Sequence, residues 1–347
     1  MITGAQATPA IPPIRGLSRV NLLEVRGPFG SVRVARTPEE WESRRREALA
    51  GMHQITGPLP GRAKRCPLAV TVHDETDMGS YVRRSISYTS EPGSRTSAFL
   101  CVPKTALAGK KAPAVLCLHP TDNVAGYKVV VGLGGRPNRQ YAAELTQRGY
   151  VTISPSYVQL ADYQPDLDKL GYASGTMKAI WDNVRALDIL DGLRYVNRGA
   201  YGAIGHSLGG HNAIYTAVHD KRIRVIVSSC GFDSFLDYYG GNIKGWVQPR
   251  YMMRLREHFG HPERVPFDFY ELIAALAPRP LFVNAPLRDA NFRAASVDRI
   301  VAAARGVYEL FGAGAGLHVS HPDCEHDFPD AERQAAYEWI GRAIGSG

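Results

Sequence analysis

The sequence lacks any hydrophobic run of about 18 residues, so no membrane-spanning helix is expected. Cysteine is scarce: the five residues, at positions 66, 101, 117, 230 and 324, are widely spaced and form no C-x-x-C pair. A disulfide framework and zinc or redox motifs of that type are therefore not expected, although a single bridge stays open. The first fourteen residues, M-I-T-G-A-Q-A-T-P-A-I-P-P-I, lack the basic and apolar regions of a secretory signal. We expect a cytoplasmic protein, or a secreted or periplasmic one if the natural N-terminus was trimmed.

The charge balance is basic, but the basic residues are scattered. Of 347 residues, 41 are Lys or Arg and 33 are Asp or Glu, which gives 41 − 33 = +8 at pH 7. Such a balance permits nucleic-acid or acidic-surface binding. The one tight run, Arg44, Arg45 and Arg46, lies in a helix-like stretch with Glu42 and Glu47. We interpret it as a solvated helix face, with an anion site as the alternative, and expect no nucleic-acid partner.

The chain divides into two regions with different sequence patterns. Residues 1–64 contain a Pro- and Gly-rich extended arm (1–37) and then a helix over 38–51, with Thr37 as its N-cap and Pro38 at its first position. Residues 65–347 open with three β-like runs over 68–74, 80–88 and 95–102, which lack intervening helices. These runs predict an antiparallel edge to the sheet that follows.

From residue 113 onward, apolar runs alternate with helical patterns, which predicts an α/β fold: a mostly parallel central sheet with helices on both faces. Predicted strands cover 114–119, 150–154, 201–205, 225–229, 281–285 and 317–320; predicted helices cover 139–148, 176–194, 208–218, 294–311 and 331–344. The aromatic-rich stretch 231–279 breaks this rhythm. We interpret it as a small helical insertion or cap.

The pentapeptide G-H-S-L-G at 205–209 follows a predicted strand and opens a predicted helix, which is the context of a nucleophile elbow. A strand that turns directly into a helix exposes the Ser207 hydroxyl on a strained backbone. Side chains two residues before and after it would collide with neighbouring elements, so Gly205 and Gly209 are needed. The pattern predicts Ser207 as a nucleophile, and a Gly-rich turn that happens to contain Ser is the alternative.

A serine nucleophile needs a histidine base and a carboxylate that orients it, in the chain order Ser, acid, His for this arrangement. His326, in P-D-C-E-H-D-F-P between the last strand and the last helix, is the predicted base, with His321 as its rival. Asp289 follows the strand 281–285 and is the predicted acid. Asp233, one strand earlier, is the runner-up.

The oxyanion hole is expected to use two backbone amides. Leu208, at the start of the helix after the nucleophile, supplies one. The loop after strand 114–119 reads H-P-T-D-N, and since Pro120 has no N–H, Thr121 is the best second donor. His119 is interpreted as a structural brace of this loop, with substrate contact as the alternative.

Other ligand motifs are missing from the sequence. The glycine cluster at 126–137 does not fit G-x-G-x-x-G, because Pro137 occupies the third glycine position. The sequence contains no H-E-x-x-H and no carboxylate cluster suggestive of a metal. We therefore expect neither a cofactor nor a resident metal.

The combination of G-H-S-L-G-G, an acid after the next-to-last strand and E-H-D-F-P before the last helix resembles the α/β-hydrolase superfamily. Within it, residues 65–345 are similar to the dienelactone-hydrolase-like, acetyl-xylan-esterase-like and prolyl-oligopeptidase-like branch. The resemblance implies a Ser207–His326–Asp289 triad and an oxyanion hole from Leu208 and Thr121. This chain departs from dienelactone hydrolases, which carry Cys at the nucleophile position. It also has H-P-T-D in place of the H-G-G-G loop of many esterases, so the substrate class stays open.

These observations favour a serine hydrolase that cleaves a small carboxylic ester through an acyl-enzyme. An amidase or small-peptide hydrolase with the same triad is the alternative, and a non-catalytic binding protein on this fold is a remote one.

The insertion carries Tyr238, Tyr239 and Trp246 in a stretch interrupted by glycines, Y-Y-G-G-N-I-K-G-W. We expect these three side chains to contact substrate, with packing inside the cap as the alternative.

Overall fold

A computed structural model describes residues 11–14 and 16–345. Its strands are β1 (Glu24–Arg26), β2 (Val32–Val34), β3 (Thr71–Asp77), β4 (Tyr81–Glu91), β5 (Ser94–Pro103), β6 (Ala112–Leu118), β7 (Val151–Pro155), β8 (Val196–His206), β9 (Ile223–Ser229), β10 (Leu281–Asn284) and β11 (Leu317–Ser320). Its α-helices are α1 (Pro38–Thr56), α2 (Lys104–Leu107), α3 (Tyr141–Gln147), α4 (Gly175–Gly192), α5 (Leu208–His219), α6 (Phe269–Ala274), α7 (Ala294–Leu310) and α8 (Asp330–Ile344).

Nine strands form one twisted sheet in the order β11-β10-β9-β8-β6-β7-β5-β4-β3. The six strands from β11 to β7 are parallel, and β5, β4 and β3 extend the sheet with antiparallel pairs. The predicted mostly parallel sheet with an antiparallel N-terminal edge is confirmed. The carboxyl ends of β6, β8, β9, β10 and β11 therefore meet at one edge of the sheet, where sites of open α/β sheets form.

The core lies on both faces of this sheet. Alternate residues of β6 point to opposite sides: Leu116 packs in the cluster that contains α4, α5 and α7, and Val115 packs in the cluster with α3 and α8. Burial on both faces explains why the parallel strands are nearly continuous apolar runs. Within the described residues, no helix combines the length and the apolar character that crossing a bilayer would require.

The N-terminal region is more ordered than an extended arm. Its described part contains an antiparallel β1–β2 hairpin, which the sequence did not predict, while residues 1–10 and 15 lie outside the described residues. Helix α1 begins as predicted, with the Thr37 side chain accepting from the Glu40 amide. It continues to Thr56 rather than ending at Gly51. A Cβ at Gly51 would lie 2.1 Å from the Pro266 carbonyl oxygen, so this glycine allows close packing against the insertion and does not end the helix.

The segment between β9 and β10 contains four short 3-10 helices and α6. Aromatic side chains fill its interior, with Phe232, Phe235 and Phe269 all buried in the larger core cluster. The predicted division of the chain at residues 64 and 65 stays a prediction. Buried side chains of the hairpin and of α1, including Val25, Trp41 and Met52, lie in the same core cluster as the sheet.

Candidate active site

Ser207 occupies a sharp turn between β8 and α5. Its backbone has φ 55° and ψ −120°, a conformation that side-chain-bearing residues rarely adopt. A Cβ added to Gly205 would lie 2.2 Å from the Gly209 backbone, and one added to Gly209 would lie 1.9 Å from the Leu118 carbonyl oxygen. Both glycines are therefore required for the strand, the turn and the helix to pack together. This is the geometry expected of a nucleophile elbow.

His326 and Asp289 are hydrogen-bonded to each other at the same edge of the sheet. The Nδ1 atom of His326 lies 3.0 and 2.9 Å from the two Asp289 carboxylate oxygens. The carboxylate also accepts from the amides of Asn291 and Phe292, and its side chain is only 1% exposed. Because a carboxylate only accepts, Nδ1 of His326 carries the proton in this pair, which leaves Nε2 as the basic nitrogen of the neutral ring.

Ser207 and His326 line one cavity of about 270 Å³. Its other lining residues are mostly polar: Pro120, Thr121, Asp122, Val129, Arg136, Arg139, His206 and Asn291. Within the described residues, no hydrogen bond joins the Ser207 hydroxyl to His326. Contacts of this kind are often long before substrate binds and shorten in the reacting complex.

Of the two predicted oxyanion donors, Leu208 directly follows Ser207, and Thr121 lines the same cavity. Leu208 is the first residue of α5, where backbone amides have no partner inside the helix, and Thr121 lies in the loop after β6. Neither amide donates to any other group in the part of the chain that the structure describes. Two free N–H groups beside the serine suit a developing oxyanion, and their role stays a prediction.

His119 holds the loop that carries Thr121. Its Nε2 accepts from the Tyr157 amide at 2.9 Å, so Nδ1 carries the proton and donates to the Pro120 carbonyl at 2.8 Å. Burial lowers the pKa of His119 to about 4, so the ring is neutral at physiological pH. These contacts favour the structural interpretation of His119 over substrate contact.

The rival residues of the triad have other partners. The Asp233 carboxylate accepts from the Arg293 amide at 3.3 Å through one oxygen, and its second oxygen has no hydrogen-bond partner. Burial raises the pKa of Asp233 to about 8. The ring of His321 is occupied at both nitrogens, by the Ala285 carbonyl at 2.7 Å and the Asp298 carboxylate at 2.9 Å. The geometry therefore brings Asp289, and not Asp233, to His326.

A polar network whose partners the sequence did not indicate holds the His326 loop. Asp327 accepts from Arg139 at 2.5 Å and from Asn138 at 2.8 Å, and Arg333 donates to Asn138 at 2.8 Å. Burial alone would raise the pKa of Asp327, but the hydrogen bonds from Arg139 and Asn138 outweigh it and lower the pKa. These contacts hold the side chain of Asp327, the residue that follows His326, in one position. Arg139 also lines the cavity, with its charge balanced by Asp327.

The three predicted substrate-binding aromatics differ in position, and none of them lines the cavity. Trp246 is 4% exposed and packs edge-on against His211 and Phe235, so it belongs to the core of the insertion. Tyr238 is half-buried beside Trp246. Tyr239 is 56% exposed, and its hydroxyl donates at 2.7 Å to Asn291, a lining residue. The structure thus brings only Tyr239 to the cavity rim, through Asn291.

The sheet order and the elbow define an α/β-hydrolase fold, as the sequence resemblance implied. No family model matches the sequence, and no curated protein sequence matches it.

Solved structures do match. A glucuronoyl esterase from Solibacter usitatus is similar over 94% of this chain and 98% of its own, with a TM-score of 0.70 and 19% identity. A promiscuous CE15 esterase from a marine bacterial metagenome covers 93% of this chain and 96% of its own, with a TM-score of 0.71 and 14% identity. The glucuronoyl esterase from Sporotrichum thermophile covers 98% and 91%, with a TM-score of 0.59 and 17% identity. At these identities the likeness shows the fold.

Proposed function

We propose that this protein is a serine hydrolase that cleaves a carboxylic ester through an acyl-enzyme. The observation that carries the proposal is that Ser207, on the elbow, and His326, hydrogen-bonded to Asp289, line one small cavity. A serine hydroxyl is a weak nucleophile at neutral pH, and a histidine held in one tautomer by a carboxylate is the usual means of activating it.

In the proposed acylation step, Ser207 Oγ attacks the ester carbonyl while His326 Nε2 takes the hydroxyl proton. The amides of Leu208 and Thr121 donate to the oxyanion of the tetrahedral intermediate. His326 then returns the proton to the departing alkoxide, and the acyl group stays on Ser207. Asp289 keeps the proton of the neutral ring on Nδ1 and stabilises the imidazolium that forms.

Deacylation repeats the sequence with water. His326 takes a proton from the water as it attacks the acyl-enzyme, and returns that proton to Ser207 Oγ as the acid leaves. Every step uses side chains and backbone amides of this chain, so the proposal needs no cofactor.

We further propose that the ester belongs to a carbohydrate. The support is the fold shared with glucuronoyl esterases over nearly the full length of both chains. A mostly polar cavity wall suits hydroxyl-rich groups, since Asn291, Asp122 and Arg136 offer donors and acceptors.

The first experiment treats the protein with a fluorophosphonate probe and identifies the labelled residue by mass spectrometry. Labelling at Ser207 is the expected result, and labelling that persists in Ser207→Ala would contradict the proposal. Paired assays with p-nitrophenyl acetate and p-nitroacetanilide then separate an esterase from an amidase. An esterase should hydrolyse the ester and leave the anilide almost untouched, whereas an amidase should hydrolyse the anilide as well. A panel of acetyl, longer acyl, aryl and sugar esters, including uronic acid esters, tests the carbohydrate assignment.

A further inference from the structure

A third reactive side chain lies against the His326–Asp289 pair. The Sγ atom of Cys230, a carboxylate oxygen of Asp289 and a ring nitrogen of His326 all lie within 4.8 Å of one another. The three residues follow β9, β10 and β11, which are adjacent in the sheet, so the fold itself brings them together. No sequence motif predicts this cluster, because its members are separated by 59 and 37 positions along the chain.

The backbone holds the Cys230 thiol in place. Cys230 has φ 47°, a left-handed conformation that is unfavourable for a residue with a side chain. Its Sγ donates to the Asp327 carbonyl oxygen at 3.3 Å, in the same loop as His326. The residue is 3% exposed, whereas the His326 side chain is 21% exposed and opens on the cavity. Among the three residues, only His326 reaches the cavity.

The donor set has the chemistry of a zinc site. Thiolate and imidazole are the preferred ligands of Zn²⁺, a carboxylate oxygen is a common third ligand, and water completes many four-coordinate sites. Ligand atoms in a tetrahedral zinc site lie about 3.3–3.8 Å apart. The His326–Asp289 pair, at 2.9 Å, therefore needs to open by only a few tenths of an ångström, and Sγ, which lies within 4.8 Å of both, needs to approach by about 1 Å at most. Hard cations such as Mg²⁺ and Ca²⁺ prefer oxygen ligands and do not fit this set.

We propose that Cys230, Asp289 and His326 form an inhibitory site for Zn²⁺ and other thiophilic divalent cations. The ion bonds to Sγ, to a carboxylate oxygen and to Nδ1, the ring nitrogen that already faces Asp289. The thiol proton leaves to the buffer as these bonds form, and the ring changes to its other neutral tautomer: the proton on Nδ1 is lost and Nε2 takes one up, so Nε2 can no longer act as a base. Loss of the Nδ1–H···carboxylate hydrogen bond removes the orientation and the imidazolium stabilisation of His326. The inhibition rests on the proposed function, whereas the binding does not.

The first test measures ester hydrolysis against ZnCl₂ concentration, with each variant compared with its own chelator-treated rate. We expect reversible inhibition by Zn²⁺ and Cd²⁺, restored activity after EDTA, and no inhibition by Mg²⁺ at the same concentrations. Cys230→Ser should raise the half-inhibitory Zn²⁺ concentration at least about 10-fold, since even outer-shell changes weaken metal sites by that amount. Cys324→Ser is the matched control, because Cys324 lies two residues before His326 and is more exposed. Equal sensitivity of Cys230→Ser and the wild type would overturn the proposal.

The second test needs no activity and no Cys230 substitution. A Ser207→Ala, Cys66→Ser, Cys324→Ser protein keeps Cys230 and the two cysteines buried in the sheet, Cys101 and Cys117. Titration with Cd²⁺ should give the ultraviolet thiolate-to-cadmium charge-transfer band at one equivalent, and Asp289→Asn should weaken the binding. Absence of the band would overturn the metal site even if the esterase assignment holds. If the band appears but the wild-type protein hydrolyses none of the esters tested, the metal site is supported while the proposed function fails.

Discussion

At the scale of single residues, the site depends on one hydrogen bond that fixes a tautomer. The Asp289 carboxylate accepts three hydrogen bonds, from His326 and from the amides of Asn291 and Phe292. These bonds replace the water that burial removes from the carboxylate. Asp233, the other carboxylate considered from the sequence, is buried with one oxygen unpaired. The two acids occupy equivalent positions after neighbouring strands, and only their partners distinguish them.

We therefore expect Asp289→Asn to lower kcat by about 10⁴-fold while KM changes little, because the amide favours the wrong His326 tautomer without altering the cavity wall. Asp233→Asn is the matched control and should keep kcat close to that of the wild type. Steady-state kinetics on one p-nitrophenyl ester checks both. A crippled Asp233→Asn beside a mild Asp289→Asn would place the acid one strand earlier.

At the scale of secondary structure elements, the site is a set of loops held by close contacts at the end of the sheet. The elbow is the tightest of these, since β8, α5 and the end of β6 approach within distances that only glycine permits at positions 205 and 209. The His326 loop is held differently, by the ion pair between Arg139 and Asp327 and by the contact of Asn138 with Asp327.

For the elbow, we expect Gly209→Ala to lower the free energy of unfolding by about 1–3 kcal/mol, because the new Cβ would overlap the Leu118 carbonyl oxygen. Gly192→Ala is the control, at an exposed position where a Cβ meets nothing within 4 Å. It should stabilise the end of α4 by about 0.5–1 kcal/mol. Urea denaturation measures both, and a Gly209→Ala protein as stable as the wild type would refute the packing described for the elbow.

The helices and strands were predicted well where a continuous apolar run or a helical spacing of apolar residues fits only one type of element. The parallel strands and their helices were placed within a few residues, because apolar runs and helical spacing identify them. The β1–β2 hairpin was missed, since three-residue strands carry no periodicity, and α1 was ended too early because Gly51 resembles a C-cap. The Arg139–Asp327 network was missed because its partners lie 188 residues apart, a separation that no local pattern encodes.

At the scale of the whole molecule, the N-terminal region contacts α5, the helix that begins directly after Ser207. His53 of α1 and His219 of α5 lie with their Nε2 atoms 2.9 Å apart. His219 Nδ1 must donate to the Tyr215 carbonyl at 2.7 Å, so its Nε2 accepts from the Nε2–H of His53. Arg45 is the nearby cation, and its charge also disfavours protonation of His219.

This pair predicts an acid-sensitive contribution to stability. Burial lowers the pKa of His53 from its usual 6.5 and lowers the pKa of His219 to about 4. Below pH 6.5 the unfolded chain takes up protons that the folded pair does not, so the contribution is complete above pH 6.5 and is lost as the pH falls toward 4.

We expect the double variant His53→Gln, His219→Gln to lose less free energy of unfolding than the wild type between pH 7 and pH 5. Exposed His261→Gln is the control and should follow the wild type. Urea titrations of the three proteins at pH 7 and pH 5 give one difference in the free energy of unfolding for each protein. A double variant as acid-sensitive as the wild type would show that the pair contributes nothing to the pH dependence.

The central claim is that Ser207 is the nucleophile of an ester hydrolase, and the most direct test compares kcat for p-nitrophenyl acetate between the wild type and Ser207→Ala. We expect the variant to lose about 10⁴-fold or more in kcat, because the members of such a triad act as a unit. Its melting temperature should not fall, since the hydroxyl makes no hydrogen bond within the described residues. Hydrolysis near the wild-type rate by a folded Ser207→Ala protein would contradict the account.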